Sequence, residues 1–551
     1  MSDTLNTEKR SSKKLFFSGV IILTVANILV KSVGLISKIA LNRVVGSVGA
    51  GYYSSAYEIY AFLYVISTAG LPIAISIMVS KSRAAGRLSE TEKIYNTAFK
   101  FFATMGLVLT GLMIIFSRQL ASLMGAPETY VCIRAVAPTL LFICISSCIR
   151  GYFQGYQLMG PTAISQIIEA VFKVVIGIGG AIYAKKMGYT DNIVAAYTVL
   201  GVTVGVFIGM VYLCVKRLVF KKEQFYDKIS EESKSTRALV KEMLYIAIPI
   251  TVSSSVLSLT TIFDTFTIQH RLLSFGMDKA TIRVYYGDYT SIVISMFNLP
   301  TILLYPIANA IVPLVAASGE ENNLSLQNKI REMGLRLMGI IAIPSAIGLS
   351  VFSFPILDLL MFRQDSAERA SAWLSVSALS VIFLGLISVS NAFLNSAGKH
   401  RMPIISMLCG AIVKLMVNYL LIGKIGIVGA SVGTVCCYIT AAILNLYFVT
   451  RYIGKLPKPS GVLVMPFICS VICIGSAVIA YTVLSLCAPN KICTLLAIGT
   501  AVIVYVITVV ASGTVTNEEL KLLPMGNKIV KVINRLNFVD FLVKISKKTT
   551  K

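Results

Sequence analysis

Charged residues inside long apolar segments are the groups in this sequence that could do chemistry. Lys31 and Lys38 are seven residues apart, so a helix places them on one face. Glu169 and Lys173 are four residues apart, a spacing that allows an ion pair. Ionisable groups at bilayer depth cost at least about 2.5–3.5 kcal/mol each, so they face a partner or a wet interior. These groups are therefore predicted to line a polar cavity.

Cations exceed anions among the charged groups of the apolar segments in the first half. A cavity with this balance prefers an anion such as a phosphate or pyrophosphate. Two other interpretations stay open: the basic side chains near segment ends could extend to the membrane surface, and Glu169 with Lys173 could be a neutralised structural pair. The cations are Lys31, Lys38, Arg43, Arg150 and Lys173, and the anions are Glu58 and Glu169.

The second half carries fewer such groups. Asp264 lies in one apolar segment, and Lys414 lies in another with Asn418 one turn later. Lys31 and Lys414 are near the middle of their segments and have no opposite charge three or four residues away. We expect both lysines to face a central cavity.

The elements that position these residues are predicted to be membrane-spanning helices. Of the 551 residues, 56% are apolar and only 14% are charged, against about a quarter in a soluble protein. A spanning helix needs about 20 apolar residues, which gives about fourteen spans in an all-α, polytopic membrane protein. The first, second, fifth and eighth of these spans are predicted at about 15–41, 52–79, 162–184 and 287–317. This excludes a soluble enzyme, a disordered protein, a single-anchor receptor and a barrel of alternating strands.

The predicted segments divide into two six-helix lobes and two further helices. Two similar stretches, one from Phe153 and one from Leu394, suggest a repeat of the lobes about an axis along the membrane normal. The predicted parts are a cytoplasmic N-tail 1–14, an N-lobe 15–215 (spans one to six), a basic cytoplasmic linker 216–243, a C-lobe 244–450 (spans seven to twelve), spans thirteen and fourteen in 461–512, and a basic amphipathic cytoplasmic tail 513–551.

The net charge of +25 has two interpretations. One is a nucleic-acid partner, and the other is retention of basic loops on the cytoplasmic side. Lys and Arg concentrate in the N-tail, in every second loop and in the C-tail, which favours the second interpretation and excludes nucleic acid. Both termini are thus predicted to be cytoplasmic.

Motifs for catalysis or cofactors are absent from the sequence. The eleven cysteines form no CxxC pair, and the two histidines, His270 and His400, lie at segment ends. There is no nucleotide-binding loop, HExxH or GxSxG motif. We expect no structural disulfide, metal, cofactor or enzymatic activity.

Glycine and proline predict two irregular positions. Gly46, Gly49 and Gly51 are predicted to form a tight turn between the first two spans, and Pro72 is predicted to kink the second.

One block of residues resembles a known family. It comprises Arg150-Gly151-Tyr152-Phe153-Gln154-Gly155, then Met159 to Gln166, and Glu169. Supporting matches are Lys31 before Gly34, Arg43 before Gly46, the run from Gly70 to Ser76, and Glu518 to Pro524 in the tail. Over nearly its whole length the chain resembles the sporulation stage V protein B branch of the polysaccharide-flippase family. This branch includes MurJ-type lipid II flippases, in the superfamily that also holds multidrug and toxin extruders.

The resemblance implies two lobes around a V-shaped cavity, with the last two spans forming a groove for a lipid tail. It implies alternating access that moves an undecaprenyl-pyrophosphate-linked glycan, such as lipid II, across the bacterial cytoplasmic membrane. Membrane lipids and cell-wall synthesis enzymes are the implied partners of a monomer. The substrate-binding candidates are Lys31, Lys38, Arg43, Glu58, Arg150, Gln154, Glu169 and Lys173.

The sequence departs from the family pattern at two places. Tyr52 and Tyr53 stand where some members carry an acidic residue. The sodium site of some members would match Asp264, Asn418 and Thr434, which are the candidates for ion coupling or gating together with Lys414. Because Lys414 lies one turn from Asn418, its charge disfavours Na⁺, and we expect Lys414 to pair with Asp264 in place of the ion.

Three other functions stay open. A cation-coupled multidrug exporter has the same architecture, but the cationic excess disfavours cationic drugs. A membrane-embedded sugar polymerase or transferase needs catalytic residues on large outer loops, and the predicted outer loops are short. A scaffold that recruits synthetic enzymes through basic loops is the third.

Overall fold

The protein is described by a computed structural model that covers residues 2–223, 235–304, 308, 324–360, 364–399, 401–457 and 460–512. Within this part of the chain all regular secondary structure is helical, which confirms the all-α prediction. The predicted tail 513–551 lies outside the described residues. The helices group into two compact units, Met1–Ser291 and Ile292–Lys551.

The first unit is built on a long helical segment that is broken at Gly46 and on the helices that pack along it. The helices are α1 (Ser2–Thr68), α2 (Leu71–Ala84), α3 (Leu88–Ile115), α4 (Ser117–Leu123), α5 (Tyr130–Val136), α6 (Thr139–Gly155), α7 (Gly160–Lys186), α8 (Asp191–Glu223), α9 (Thr236–Ser274) and α10 (Lys279–Asp288). One core joins α1 with α5, α7 and α8, and a second core joins α2, α3, α6 and the start of α9.

The helices of the second unit are α11 (Ile294–Phe297), α12 (Leu324–Val351), α13 (Ser353–Leu359), α14 (Gln364–Ala378), α15 (Ser380–Ser396), α16 (Arg401–Ile425), α17 (Val428–Tyr452), α18 (Met465–Leu484) and α19 (Asn490–Ala511). The main core of this unit lies where α12, α15 and α17 meet, and a smaller core lies beside α18 and α19.

Helix length and hydropathy make this a multi-pass membrane protein. Among the described residues, ten segments are long and apolar enough to cross a membrane, or eleven if the bent pair α14 and α15 is one span. The first segment, Ser32–Arg83, contains the whole of the second predicted span, 52–79, and the last ten residues of the first, 15–41. The eighth predicted span, 287–317, lies partly outside the described residues, so the count of fourteen stays a prediction.

The turn between the first two predicted spans is made by one glycine rather than three. Gly46 has φ 76° and ψ 177°, whereas the flanking residues of α1 are helical. Gly49 and Gly51 lie within the helix, so the prediction of a turn through all three was wrong. Gly51 instead permits close packing, because a Cβ there would lie 2.8 Å from the carbonyl oxygen of Arg283.

The second predicted span is interrupted between α1 and α2. Pro72 stands in the first turn of α2, where its missing N–H costs nothing. Gly70 precedes the helix, and a Cβ there would lie 2.1 Å from the carbonyl oxygen of Ala247 on α9. The break thus lets α2 begin directly against the α9 backbone.

A row of glycines on α8 brings α7 close. Gly201, Gly205 and Gly209 are four residues apart and share one helix face. A Cβ at Gly205 would lie 2.7 Å from the carbonyl oxygen of Glu169, and one at Gly209 would lie 2.7 Å from its Cγ. Small residues of this kind permit close backbone approach between membrane helices. Here they let α8 pack against the α7 backbone at Glu169.

The division into units falls later in the chain than the predicted lobe boundary. The predicted linker 216–243 is helical at both ends, since α8 continues to Glu223 and α9 begins at Thr236. The two structural units are defined by the packing of their helices, whereas the two lobes were predicted from a repeat in the sequence. The predicted lobes therefore stay a prediction.

We predict that Gly205→Ala destabilises the protein and Gly179→Ala does not. The new methyl at position 205 meets the α7 backbone, and such overpacking costs about 1–3 kcal/mol. A Cβ added at Gly179 would meet no atom within 4 Å, so alanine there removes only backbone freedom and stabilises by about 0.5–1 kcal/mol. Thermal unfolding of the purified proteins in detergent compares the two. Equal melting temperatures would contradict the packing role of Gly205.

Candidate functional site

An arginine–carboxylate pair links α6 to α7. Nη2 of Arg150 lies 2.5 Å from Oε1 of Glu169, and its Nε donates to Oγ of Ser165 at 3.1 Å. The two charged side chains are 7% and 16% exposed. The ion pair of Glu169 is thus formed across two helices, and the i, i+4 pairing with Lys173 considered from the sequence was wrong.

The glycines of the block around Arg150 explain how α6 is held in place. A Cβ at Gly151 would lie 2.6 Å from the carbonyl oxygen of Pro72, and one at Gly155 would lie 2.7 Å from Cβ of Val79. Both glycines therefore let α2 pack against the α6 backbone. Arg150 precedes Gly151 in the chain and reaches Glu169 on α7.

Lys173 is surrounded by tyrosines. Its Nζ lies 4.8 Å from the centre of the Tyr57 ring, and the ammonium lies within electrostatic range of the hydroxyls of Tyr53 and Tyr57. The Tyr53 and Tyr57 rings are stacked, with their centres 5.6 Å apart and an angle of 11° between planes. These contacts hold the ammonium without cancelling its charge.

Four tyrosines of α1 form a continuous row, which we call the tyrosine row. They are spaced by four, three and four residues and share one helix face: Tyr53, Tyr57, Tyr60 and Tyr64. Successive ring centres are 5.6, 5.5 and 5.8 Å apart. The last two tyrosines lie within electrostatic range of Glu169. This row was not predicted from the sequence, although its spacing was a readable signal.

Other predicted site residues of the first unit lie beside the tyrosine row. Lys38 is half-buried and within electrostatic range of Glu58 and Lys173. Glu58 and Asp264 both lie within electrostatic range of the Tyr286 hydroxyl. The first unit therefore brings six predicted residues into one polar strip: Lys38, Glu58, Arg150, Glu169, Lys173 and Asp264.

The remaining candidates of the first unit lie elsewhere or are only partly described. Arg43 is exposed near the Gly46 break, and Gln154 is half-buried on α6. Lys31 lies in α1, but its side chain falls outside the described part of the structure. Among the described residues there is no group of three His, Cys, Asp or Glu side chains that could hold a metal ion.

The candidates of the second unit lie where α16 packs on α17. Asn418 is fully buried, and a Cβ at Gly433 would lie 2.0 Å from its Oδ1. Thr434 donates to the carbonyl oxygen of Ala430 at 3.0 Å. Lys414 is half-buried one turn before Asn418. The predicted sodium site and its replacement by Lys414 stay predictions.

An apolar cavity of about 480 Å³ lies in the second unit. Its walls come from α12, α18 and α19, together with the segment after α11. It is therefore lined partly by the two helices predicted to form a lipid-tail groove. The lining includes Leu303, Pro344, Phe352, Ile474, Ala501 and Tyr505.

Comparisons with known proteins agree with this architecture. A family model described as polysaccharide biosynthesis protein matches residues 16–318, and one described as MatE matches residues 289–420. The chain is 25% identical over 532 residues to stage V sporulation protein B of Bacillus subtilis (strain 168), covering 94% of this chain and 99% of the relative. It is 24% identical over 460 residues to lipid II flippase MurJ of the same organism, covering 81% and 84%.

A solved structure has the same fold. It is described as "Lipid II flippase MurJ, inward closed conformation", and it aligns with a TM-score of 0.68 and 16% identity. The alignment covers 89% of this chain and 98% of that one.

We predict that Arg150→Met lowers the melting temperature and that Arg150→Met/Glu169→Leu recovers most of the loss. Removing one partner of a buried pair costs about 3–5 kcal/mol, because the other charge stays buried alone, whereas apolar replacement of both is often neutral. Thermal unfolding of the three proteins in one detergent measures the difference. A double variant less stable than Arg150→Met would show that the ion pair does not account for the loss.

Proposed function

The chain belongs to the polysaccharide biosynthesis protein family, and from this membership and the polar strip we propose that it is a flippase for an undecaprenyl-pyrophosphate-linked saccharide. Lipid II or a related cell-wall or polysaccharide precursor is the proposed cargo. The name of one relative, lipid II flippase, supports that cargo class.

The observation that carries the proposal is the approach of two lysines in the polar strip. Lys38 lies within electrostatic range of Lys173 and of the Glu58 carboxylate, so the two like charges repel each other while Glu58 offsets part of the Lys38 charge. A pyrophosphate between or beside them would relieve this repulsion and accept charge-assisted hydrogen bonds. Arg150 contributes less to anion binding, because Glu169 already neutralises it.

The tyrosine row supplies the other chemistry that a sugar headgroup needs. Tyrosine combines an apolar ring with a polar hydroxyl, so it suits ligands that have both kinds of surface. Tyr57 and Tyr64 are only partly buried in the row, and their rings contribute to one wall of the strip. We propose that these two residues contact the saccharide.

The apolar cavity of the second unit is proposed to hold part of the lipid tail. A polyprenyl chain has no polar groups, and the lining of this cavity is almost entirely apolar. The cavity occupies a small part of the tail's length, so the rest would lie in the bilayer.

The proposed transport uses alternating access in the bacterial cytoplasmic membrane, with both termini cytoplasmic. Movement of the cargo requires no bond to be made or broken, so the proposal assigns no catalytic residue and no cofactor. The membrane potential or an ion gradient is the proposed energy source, and cell-wall synthesis enzymes are the proposed protein partners of the monomer.

The second candidate is a cation-coupled multidrug exporter, which the MatE match to residues 289–420 favours. The acidic residues Glu58 and Asp264 of the strip would suit a cationic drug. The lysines at 38 and 173 would repel it, and this places the exporter second.

The proposal is tested by flipping of a fluorescent lipid II analogue in proteoliposomes that contain the full chain. We predict that Lys173→Ala slows flipping about ten- to a hundredfold, since a hydrogen bond to a charged group contributes about 1.5–3 kcal/mol. Lys38→Ala and Lys31→Ala are expected to slow it as well. Lys186→Ala, at an exposed lysine in the last turn of α7, is the matched control.

Each result of the flipping assay has one meaning. Flipping by the wild type and the control but not by Lys173→Ala supports both the cargo and the site. Equal flipping by all the variants would keep the function and remove the lysines from it. Failure of folded wild-type protein to flip the analogue would contradict lipid II as cargo.

A sodium titration tests the coupling ion. We predict that Na⁺ does not raise the melting temperature more than K⁺ does, because Lys414 lies one turn from Asn418 and its charge repels a cation. The measurement is thermal unfolding in matched chloride salts. Stabilisation by sodium that Asp264→Asn abolishes would show that the family's sodium site is present after all.

A further inference from the structure

A polar cavity of about 670 Å³ lies between the first half of α3 and the start of α9. It is separate from the polar strip and takes no part in the function proposed above. Hydroxyl and amide groups and two lysines line it. The polar residues that could bind a ligand are Lys93, Asn96, Thr97, Lys100, Thr104 and Thr236.

The acidic side chain in the cavity wall is already neutralised. Glu92 forms an ion pair with Arg217 and accepts a hydrogen bond from the Tyr152 hydroxyl at 2.9 Å. The Arg217 guanidinium lies 4.5 Å from the Tyr95 ring centre and 4.4 Å from that of Tyr152. Arg217 is only 4% exposed, so its guanidinium neutralises Glu92 and is not accessible to a ligand in the cavity. The basic side chains that line the cavity are Lys93 and Lys100, and Lys100 is exposed.

The two lysines and the hydroxyl groups match a phosphate. Lys93 and Lys100 are seven residues apart and lie on one face of α3. Ammonium groups bind phosphate oxygens through charge-assisted hydrogen bonds, and Thr97 stands between the lysines on the same face. Thr236, in the first turn of α9, adds a hydroxyl group from the opposite wall of the cavity.

The same face of α3 continues from the cavity into an exposed apolar stripe. Leu107, Val108 and Ile115 are 60%, 54% and 68% exposed, as expected for side chains that face lipid. From Leu107 to Ile115 the helix rises about 12 Å, close to the about 15 Å of hydrocarbon in one leaflet. A ligand with its phosphate in the cavity can therefore lay acyl chains along this stripe.

We propose that this cavity binds the headgroup phosphate of an anionic membrane phospholipid, with its acyl chains along Leu107, Val108 and Ile115. The lysines select the anionic headgroup, and the stripe distinguishes a lipid from free phosphate. Since Glu92 and Arg217 join α3, α6 and α8 at the cavity wall, the bound lipid stabilises this end of the first unit.

The test uses the full chain, purified in detergent, and thermal unfolding with one of three additives: palmitoyl-oleoyl phosphatidylglycerol, the matching phosphatidylcholine, or inorganic phosphate. We predict that phosphatidylglycerol raises the melting temperature of the wild type and that the other two do not. Lys100→Glu is expected to reduce this shift by at least half. Lys81→Glu, at an exposed lysine near the end of α2, is expected to keep it.

Several outcomes would overturn the proposal. An equal shift with phosphatidylcholine means that headgroup charge is not recognised, and an equal shift with inorganic phosphate means that the site takes the free ion. An equal loss in Lys81→Glu means that general surface charge is responsible. If Lys100→Glu unfolds without lipid, Lys100→Gln takes its place, and native mass spectrometry must show less phosphatidylglycerol bound to it than to Lys81→Gln.

Discussion

An ionised side chain at bilayer depth requires a partner, and this requirement governs how α1, α6 and α7 are arranged. Arg150 meets it with Glu169 and Ser165, which leaves a neutral pair. Lys173 meets it with tyrosine rings and hydroxyls, which stabilise the ammonium but leave its positive charge in place. The two arrangements have different consequences. The ion pair joins two helices, whereas the lysine among the tyrosines keeps a charge that can attract an anion.

The glycines of the first unit follow from the same requirement. An ion pair between α6 and α7 forms only if the two helix backbones are correctly positioned relative to each other. A larger side chain where these helices contact their neighbours would push the backbones apart. Gly205 and Gly209 remove that obstacle between α8 and α7, and Gly151 removes it between α6 and α2. The block of residues that resembles the family therefore contains both the charged Arg150 and the neighbouring Gly151, which lets α6 pack closely on α2.

The fold was predictable from the sequence because its signals are local. The span predicted at 162–184 corresponds to α7, Gly160–Lys186, since apolar length alone defines it. The site was predictable only in part. A pairing within one helix is visible in a sequence, whereas Arg150 and Glu169 meet only after α6 and α7 have packed. Likewise, Gly46 has a non-helical backbone conformation whereas Gly51 is helical, and the composition of this stretch does not show which glycine breaks the helix.

The tyrosine at position 53 gives the polar strip its electrostatic character. A carboxylate there would neutralise Lys173 in the way that Glu169 neutralises Arg150, and the strip would lose an available cation. A hydroxyl can accept a hydrogen bond from an ammonium group without adding charge at neutral pH. Lys38 then meets a second positive charge at Lys173 as well as the carboxylate of Glu58. Carboxylates therefore offset the charges of Lys38 and Arg150, whereas tyrosines surround that of Lys173, and the proposed pyrophosphate would lie at this last cation.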